Sequence, residues 1–178
     1  MIREKALNAR VAITVVMLSV VAGFGGIKDS NIVQTMQQVQ ATQMDLWNEY
    51  QAERTKLHIA ELGRDQIVAL AADTARTAPV LTALDADLAH HRSEAARLAT
   101  DAKAQNDRYQ ALDLRDSQFD VSNAAIAAAI SIAGVAALAE SAWLLVIAWA
   151  IGGFGLFMAL CGFVGWGVHL TLLNGLLG

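Results

Sequence analysis

No Lys or Arg lies beyond Arg115, and residues 121–178 carry a single formal charge, that of Glu140. Uncharged apolar runs of this length exceed what a soluble core element needs and match the thickness of a bilayer. The chain is 178 residues long, 55% hydrophobic and 17% charged, enough for one compact unit or two at most. The net charge of −4 argues against nucleic acid as the main partner. The lone Cys161 excludes a disulfide within the chain. The expected class is an all-α membrane protein.

Three segments are candidates for spanning. Residues 11–27 form an uncharged stretch of 17, preceded by Arg3, Lys5 and Arg10. That arrangement also suits a secretory signal peptide, with Gly23-Phe24-Gly25 as a small-x-small cleavage site. The segment is retained in the chain, so an uncleaved anchor is expected. Residues 121–139 are Ala-rich, Ala125, Ala129 and Gly134 among them. Small residues let helices approach closely in lipid, so this span is expected to face protein. After a short break at Glu140-Ser141, residues 142–178 run without formal charge. As one helix they would reach about 55 Å against a hydrocarbon core of about 30 Å. A third span near 142–164 is therefore expected, with Gly155 inside it, a break around Gly162, Gly165 and Gly167, and a tail that re-enters or lies in the interface.

Between the first two spans lie residues 28–120, with 10 basic and 15 acidic side chains. Helix formers dominate, Gly occurs once at Gly63, and the only proline is Pro79. Two helices meeting near 77–80 follow, with Thr77 as cap and Pro79 in a first turn. Steps of three and four from Ile32 pass through Met36, Val39, Gln43, Leu46, Tyr50, Glu53, Leu57, Ala60, Arg64, Ile67 and Ala71. The same steps from Leu81 pass through Leu84, Leu88, His91, Ala95, Leu98, Ala102, Gln105, Tyr109, Leu112, Asp116 and Phe119. Sustained three-four spacing predicts a long antiparallel coiled-coil hairpin. Folding about Pro79 opposes Ile67 to Leu88, Arg64 to His91, Leu57 to Leu98 and Leu46 to Tyr109. No turn-forming cluster separates either arm from its span, so the helices are expected to run through. The organisation is thus residues 1–27, tail and first span; 28–120, hairpin; and 121–178, second and third spans with an apolar tail.

The string Gln43-Met44-Asp45-Leu46-Trp47-Asn48-Glu49-Tyr50-Gln51-Ala52-Glu53-Arg54-Thr55-Lys56 resembles the segment after the first membrane helix in the bacterial domain-of-unknown-function family numbered 4337. The resemblance covers most of the chain and implies one N-terminal membrane helix, a helical stretch with Trp-x-x-Tyr-Gln-Ala, and two C-terminal membrane helices. It implies a bacterial inner membrane and supplies no catalytic residues.

The candidate chemistry is sparse. His58, Glu61 and Asp65 share a face, and Asp87 with His90 is an i, i+3 pair, so Asp65 and His90 could meet across the arms as metal ligands. No complete Glu-x-x-His pair exists, and solvated surface charge is the better account. Arg64 and His91 are expected to form a polar layer that fixes register, with pH sensing as the lesser alternative. Trp47 and Tyr50 read as packing rather than recognition. Asp116 and Asp120 border the second span, where solvation explains them. His169 and Asn174 fit snorkelling or helix-to-helix bonding, and Cys161 fits packing. Nucleophile elbows, phosphate loops and zinc spacings are absent.

A narrow two-arm seam leaves apolar side chains underpacked, so homo-oligomerisation is expected, with Arg64, His91, Tyr50, Gln105, Trp47 and Tyr109 in the hairpin or oligomer seam. Arg3, Lys5 and Arg10 argue that the hairpin is extracytoplasmic. The function expected is a non-enzymatic, self-assembling scaffold without cofactor, whose partners are the lipid bilayer, itself and another membrane complex. A sensor or transducer, or an accessory subunit of a channel or transporter, is the alternative.

Overall fold

The computed structural model describes residues 2–70 and 74–166. They form three helices: α1 (Ile2–Leu70), α2 (Thr74–Leu138) and α3 (Ala142–Val164). All three are long and apolar enough to cross a membrane. The first two continue without interruption from apolar segment into polar arm, as the lack of turn residues requires. Hydroxyls that could compete with the helix are satisfied within it: Thr14, Thr35, Thr42 and Thr55 each donate to the carbonyl four residues back.

The reversal differs from the expectation at 77–80. α2 already begins at Thr74, and Pro79 lies inside it as the sixth residue. So near an N-terminus, proline removes a single intrahelical donor and its fixed φ suits the helix, so the chain does not need to break there. Residues 71–73, which include the seam position Ala71, lie outside the described residues.

The chain groups into two compact units, Met1–Met36 with Gln110–Gly178, and Gln37–Tyr109. In the first, the apolar segments of α1, α2 and α3 pack through small side chains. Ala129, Ala133 and Ala136 on α2 are fully buried. Val11 and Leu145 close one cluster around Ala133 and Ala136, and Leu18 and Ile126 close another around Ala129. The opposite face of α2 is exposed at Ala124, Ala127, Ala128, Ser131 and Gly134, so the Ala-rich segment faces protein on one side only. α1 and α3 expose large apolar residues instead, Ile13, Met17 and Phe24 on one and Trp143, Phe157 and Leu160 on the other. Such a surface is compatible with a membrane location.

Two turns with a residue at positive φ close this unit. α2 ends with Ser141 N–H on Ala136 O and Glu140 N–H on Ala137 O, a Schellman arrangement with Glu140 at φ 49° where glycine is usual. α3 ends at Gly165, whose φ of 77° and N–H bond to Cys161 O mark a left-handed cap. The break expected near Gly162–Gly167 therefore falls at Gly165, and Gly162 stays helical. The tail beyond Trp166, with Gly167, His169 and Asn174, lies outside the described residues.

In the second unit, α1 and α2 pair along the three-four seam. Each described seam position from Val39 to Ile67 and from Leu81 to Tyr109 is buried or half-buried, and Leu98 and Ala102 are almost inaccessible. Partners run in opposite chain directions: Glu53 meets His91, Glu61 meets Arg92, and Arg64 meets Asp85.

Candidate functional site

The polar side chains of the Gln37–Tyr109 unit pair with one another, and Glu61, Arg64, Asp85 and Arg92 do so along an open groove that Asp65 and Leu88 also line. Glu53 is the best connected of them. Its Oε2 accepts from His91 Nδ1 at 2.6 Å across the seam, and its Oε1 accepts from Lys56 Nζ at 2.5 Å one turn on. With the ammonium of Lys56 first and His91 second, the Glu53 carboxyl is held below its ordinary range. Glu61 is lowered in the same sense, chiefly by Arg92, whose Nη2 donates to Glu61 Oε1 at 2.9 Å, with His58 Nδ1 at 3.2 Å from the other oxygen. Arg64 Nε donates to Asp85 Oδ1 at 2.7 Å, which raises the guanidinium further. On α2, Arg97 pairs with Glu94 and reaches Asp101 at 3.2 Å.

The layer expected between Arg64 and His91 is not formed. Reversal before Thr74 rather than at Pro79 slides the arms, and each residue takes another partner, Asp85 for Arg64 and Glu53 for His91. Both contacts still tie one arm to the other. Trp47 and Tyr50 stack edge to face at 5.3 Å and are half-buried, a packing pair. Gln105 and Tyr109 are half-buried in the seam. Asp65 and His90 do not build a ligand set: among the described residues no three His, Cys, Asp or Glu side chains converge.

The apolar unit has polar contacts that sequence reading missed. Ser122 Oγ donates to Gly155 O at 2.8 Å in a fully buried position between α2 and α3. Trp149 Nε1 donates to Thr14 Oγ1 at 2.9 Å between α3 and α1. Gln118 Nε2 donates to Trp166 O at 2.7 Å beside the α3 cap, where an added Cβ on Gly165 would fall on the Arg115 guanidinium. The signal available was isolated polar residues at helical spacing in apolar surroundings, as interhelical bonds in lipid require.

Among the glycines and alanines expected to pack, Ala129 is buried against Leu18 and Ile126, and Ala125 lies beside Gly155. A Cβ on Gly155 would stand 2.9 Å from Ile126 Cγ1, and one on Gly162 would stand 2.8 Å from Phe119. Phe119 in turn meets Phe163 edge to face at 5.1 Å. Gly134 is the exception: it is exposed, with nothing within 4 Å of its Cβ position. Cys161 is buried. Just outside the apolar segment of α2, burial and then the Asp29 carboxylate push Asp116 up to about 6. Solvation alone does not describe that position.

The model of the family described as domain of unknown function DUF4337 matches residues 7–165. No curated protein and no solved structure matches the chain.

Proposed function

The chain belongs to the DUF4337 family, and from that membership and the contacts above we propose that it is a non-enzymatic, self-assembling scaffold of the bacterial inner membrane. In this reading the three apolar helices anchor it, and residues 37–109 stand outside the bilayer as an antiparallel coiled-coil hairpin. The observation that carries the reading is the use of charge. Glu53, Glu61 and Arg64 are engaged across the seam with His91, Arg92 and Asp85, so these ionisable groups hold helix to helix. In the groove that Glu61, Arg64, Asp85 and Arg92 line, those four charges are already paired with one another. Charged side chains spent on interhelical geometry suit a part whose task is mechanical. The apolar unit supports the same reading, since its buried hydrogen bond from Ser122 to Gly155 fastens α2 to α3.

The test is the mass of the full chain in nanodiscs, by native mass spectrometry. A discrete multiple of 19.0 kDa is expected. A monomer, or a particle containing a second polypeptide, would overturn the scaffold and move the search to the partner.

A further inference from the structure

The seam accounts for one face of each arm, and the opposite faces carry a pattern of their own. On α1, steps of three and four from Gln37 to Ala69 cross ten exposed positions without a formal charge, although Asp45, Glu49, Arg54, Lys56 and Asp65 lie on neighbouring faces. Met44, Ile59 and Leu62 on this stripe are each more than 60% exposed. On α2, the same steps from Thr82 to Ala104 cross seven exposed positions, all Ala, Ser or Thr. One stripe has protruding side chains and the other has room for them. Solvated helix faces ordinarily carry charge, so two long charge-free faces on one hairpin call for a cover.

We infer that the outer stripe of α1 packs against the outer stripe of α2 in a second copy of this chain. The inference rests on the self-assembly proposed above and names its interface. Identical copies anchored in one bilayer stand at one height, so a neighbour's α2 meets α1 in the register that the chain's own α2 adopts. That register runs between the Arg64–Asp85 and Glu53–His91 pairings. Applied to the outer faces, it sets Leu62 opposite Ala86, Ile59 opposite Ala89, Thr55 opposite Ser93 and Met44 opposite Ala104. Every large apolar side chain meets an alanine, and the polar Thr55 meets a hydroxyl. At the flank, Asp45 comes opposite Lys103, so the charges there are complementary. The contact is heterologous, joining unlike faces, and so closes into a ring or continues as a row.

Disulfide trapping in native membranes tests this on the full chain with Cys161→Ala. L62C combined with A86C should give, on mild oxidation, a ladder of dimers and higher species. Since the two positions lie on outward faces of one hairpin, they cannot bridge within a chain. L62C with T100C, about four turns out of register, should give at least tenfold less. Ile59→Glu with Leu62→Glu should lower the particle mass while circular dichroism keeps its helical content. A wild-type oligomer whose mass survives the double Glu substitution, with no ladder, overturns this interface and leaves self-assembly standing. A 19.0 kDa wild-type particle overturns both. Cross-linking of L62C to a different polypeptide overturns the choice of occupant.

Discussion

Glycine carries two distinct meanings in the apolar unit, and side-chain contact separates them. At Gly155 an added Cβ would meet Ile126 Cγ1 at 2.9 Å, the Ser122 carbonyl at 3.1 Å and Ala125 at 3.2 Å. The carbonyl cannot move aside as a side-chain tip can, and the same turn carries the Ser122 hydrogen bond. Gly155→Val should therefore destabilise the fold by about 1–3 kcal/mol, as overpacking of a filled interior does. Gly134 has open space at its Cβ position, so Gly134→Ala should gain about 0.5–1 kcal/mol from helix propensity alone. Reversible unfolding in mixed micelles would measure both. Equal effects of the two substitutions would mean that the α2–α3 contact is not what holds Gly155.

At the scale of elements, the two units should respond to acid with opposite sign. Glu53, Glu61 and Glu94 have folded pKa values below their ordinary 4.5, so their stabilisation is present above that value and is lost as pH falls through the lowered values. These groups are solvent-screened, and the dependence should be shallow. Asp116 is the reverse case. Its folded pKa of about 6 lies above the ordinary 3.8, so its contribution is full below 3.8 and is lost as pH rises through 6. Acidification from pH 7 to 5 should raise the unfolding midpoint of the wild-type chain relative to Asp116→Asn, and the difference should vanish below about 4. A wild-type and variant pair with parallel profiles would show that Asp116 titrates as it does in the unfolded chain.

The elements also mark where sequence reading runs out. Helix continuity and the seam faces follow from local chemistry: spacing of three and four puts Leu57, Leu88 and Leu98 on one side whatever the arms do next, and these are buried. Register does not follow from spacing, because it depends on where the chain turns back. Pro79 is the strongest local break signal in the hairpin, yet its missing donor costs little so near the start of α2. A turn a few residues earlier leaves the seam positions intact and changes every cross-pair, which is why Arg64 and His91 were expected together and lie apart. In the apolar unit, composition announces small residues, but which of Gly134 and Gly155 meets a neighbour depends on the side of α2 or α3 it occupies. That is tertiary information. The contacts of Ser122 and Trp149 were missed for the same reason.

For the whole molecule, asymmetry of charge predicts the orientation that the proposed membrane anchor would take. Arg3, Lys5 and Arg10 flank the first apolar segment on one side, and none of the other flanks carries a comparable basic cluster. Basic residues close to a span resist translocation, whereas long segments cross with little regard to their charge. Residues 37–109 should therefore lie outside the cytoplasm, with Glu140 between the second and third apolar segments on the cytoplasmic side. A membrane-impermeant maleimide reads this directly. With Cys161→Ala as background, Asp87→Cys, at an exposed position of α2, should label in right-side-out vesicles, and Asn8→Cys only in inside-out ones. Glu140 tests the same topology from its other end: Glu140→Cys should follow Asn8→Cys, because an even number of crossings separates them. If Asp87→Cys labels only from the inside, the basic cluster is not the determinant. The hairpin would then face the cytoplasm, where any assembly it builds would meet soluble partners instead of the cell envelope.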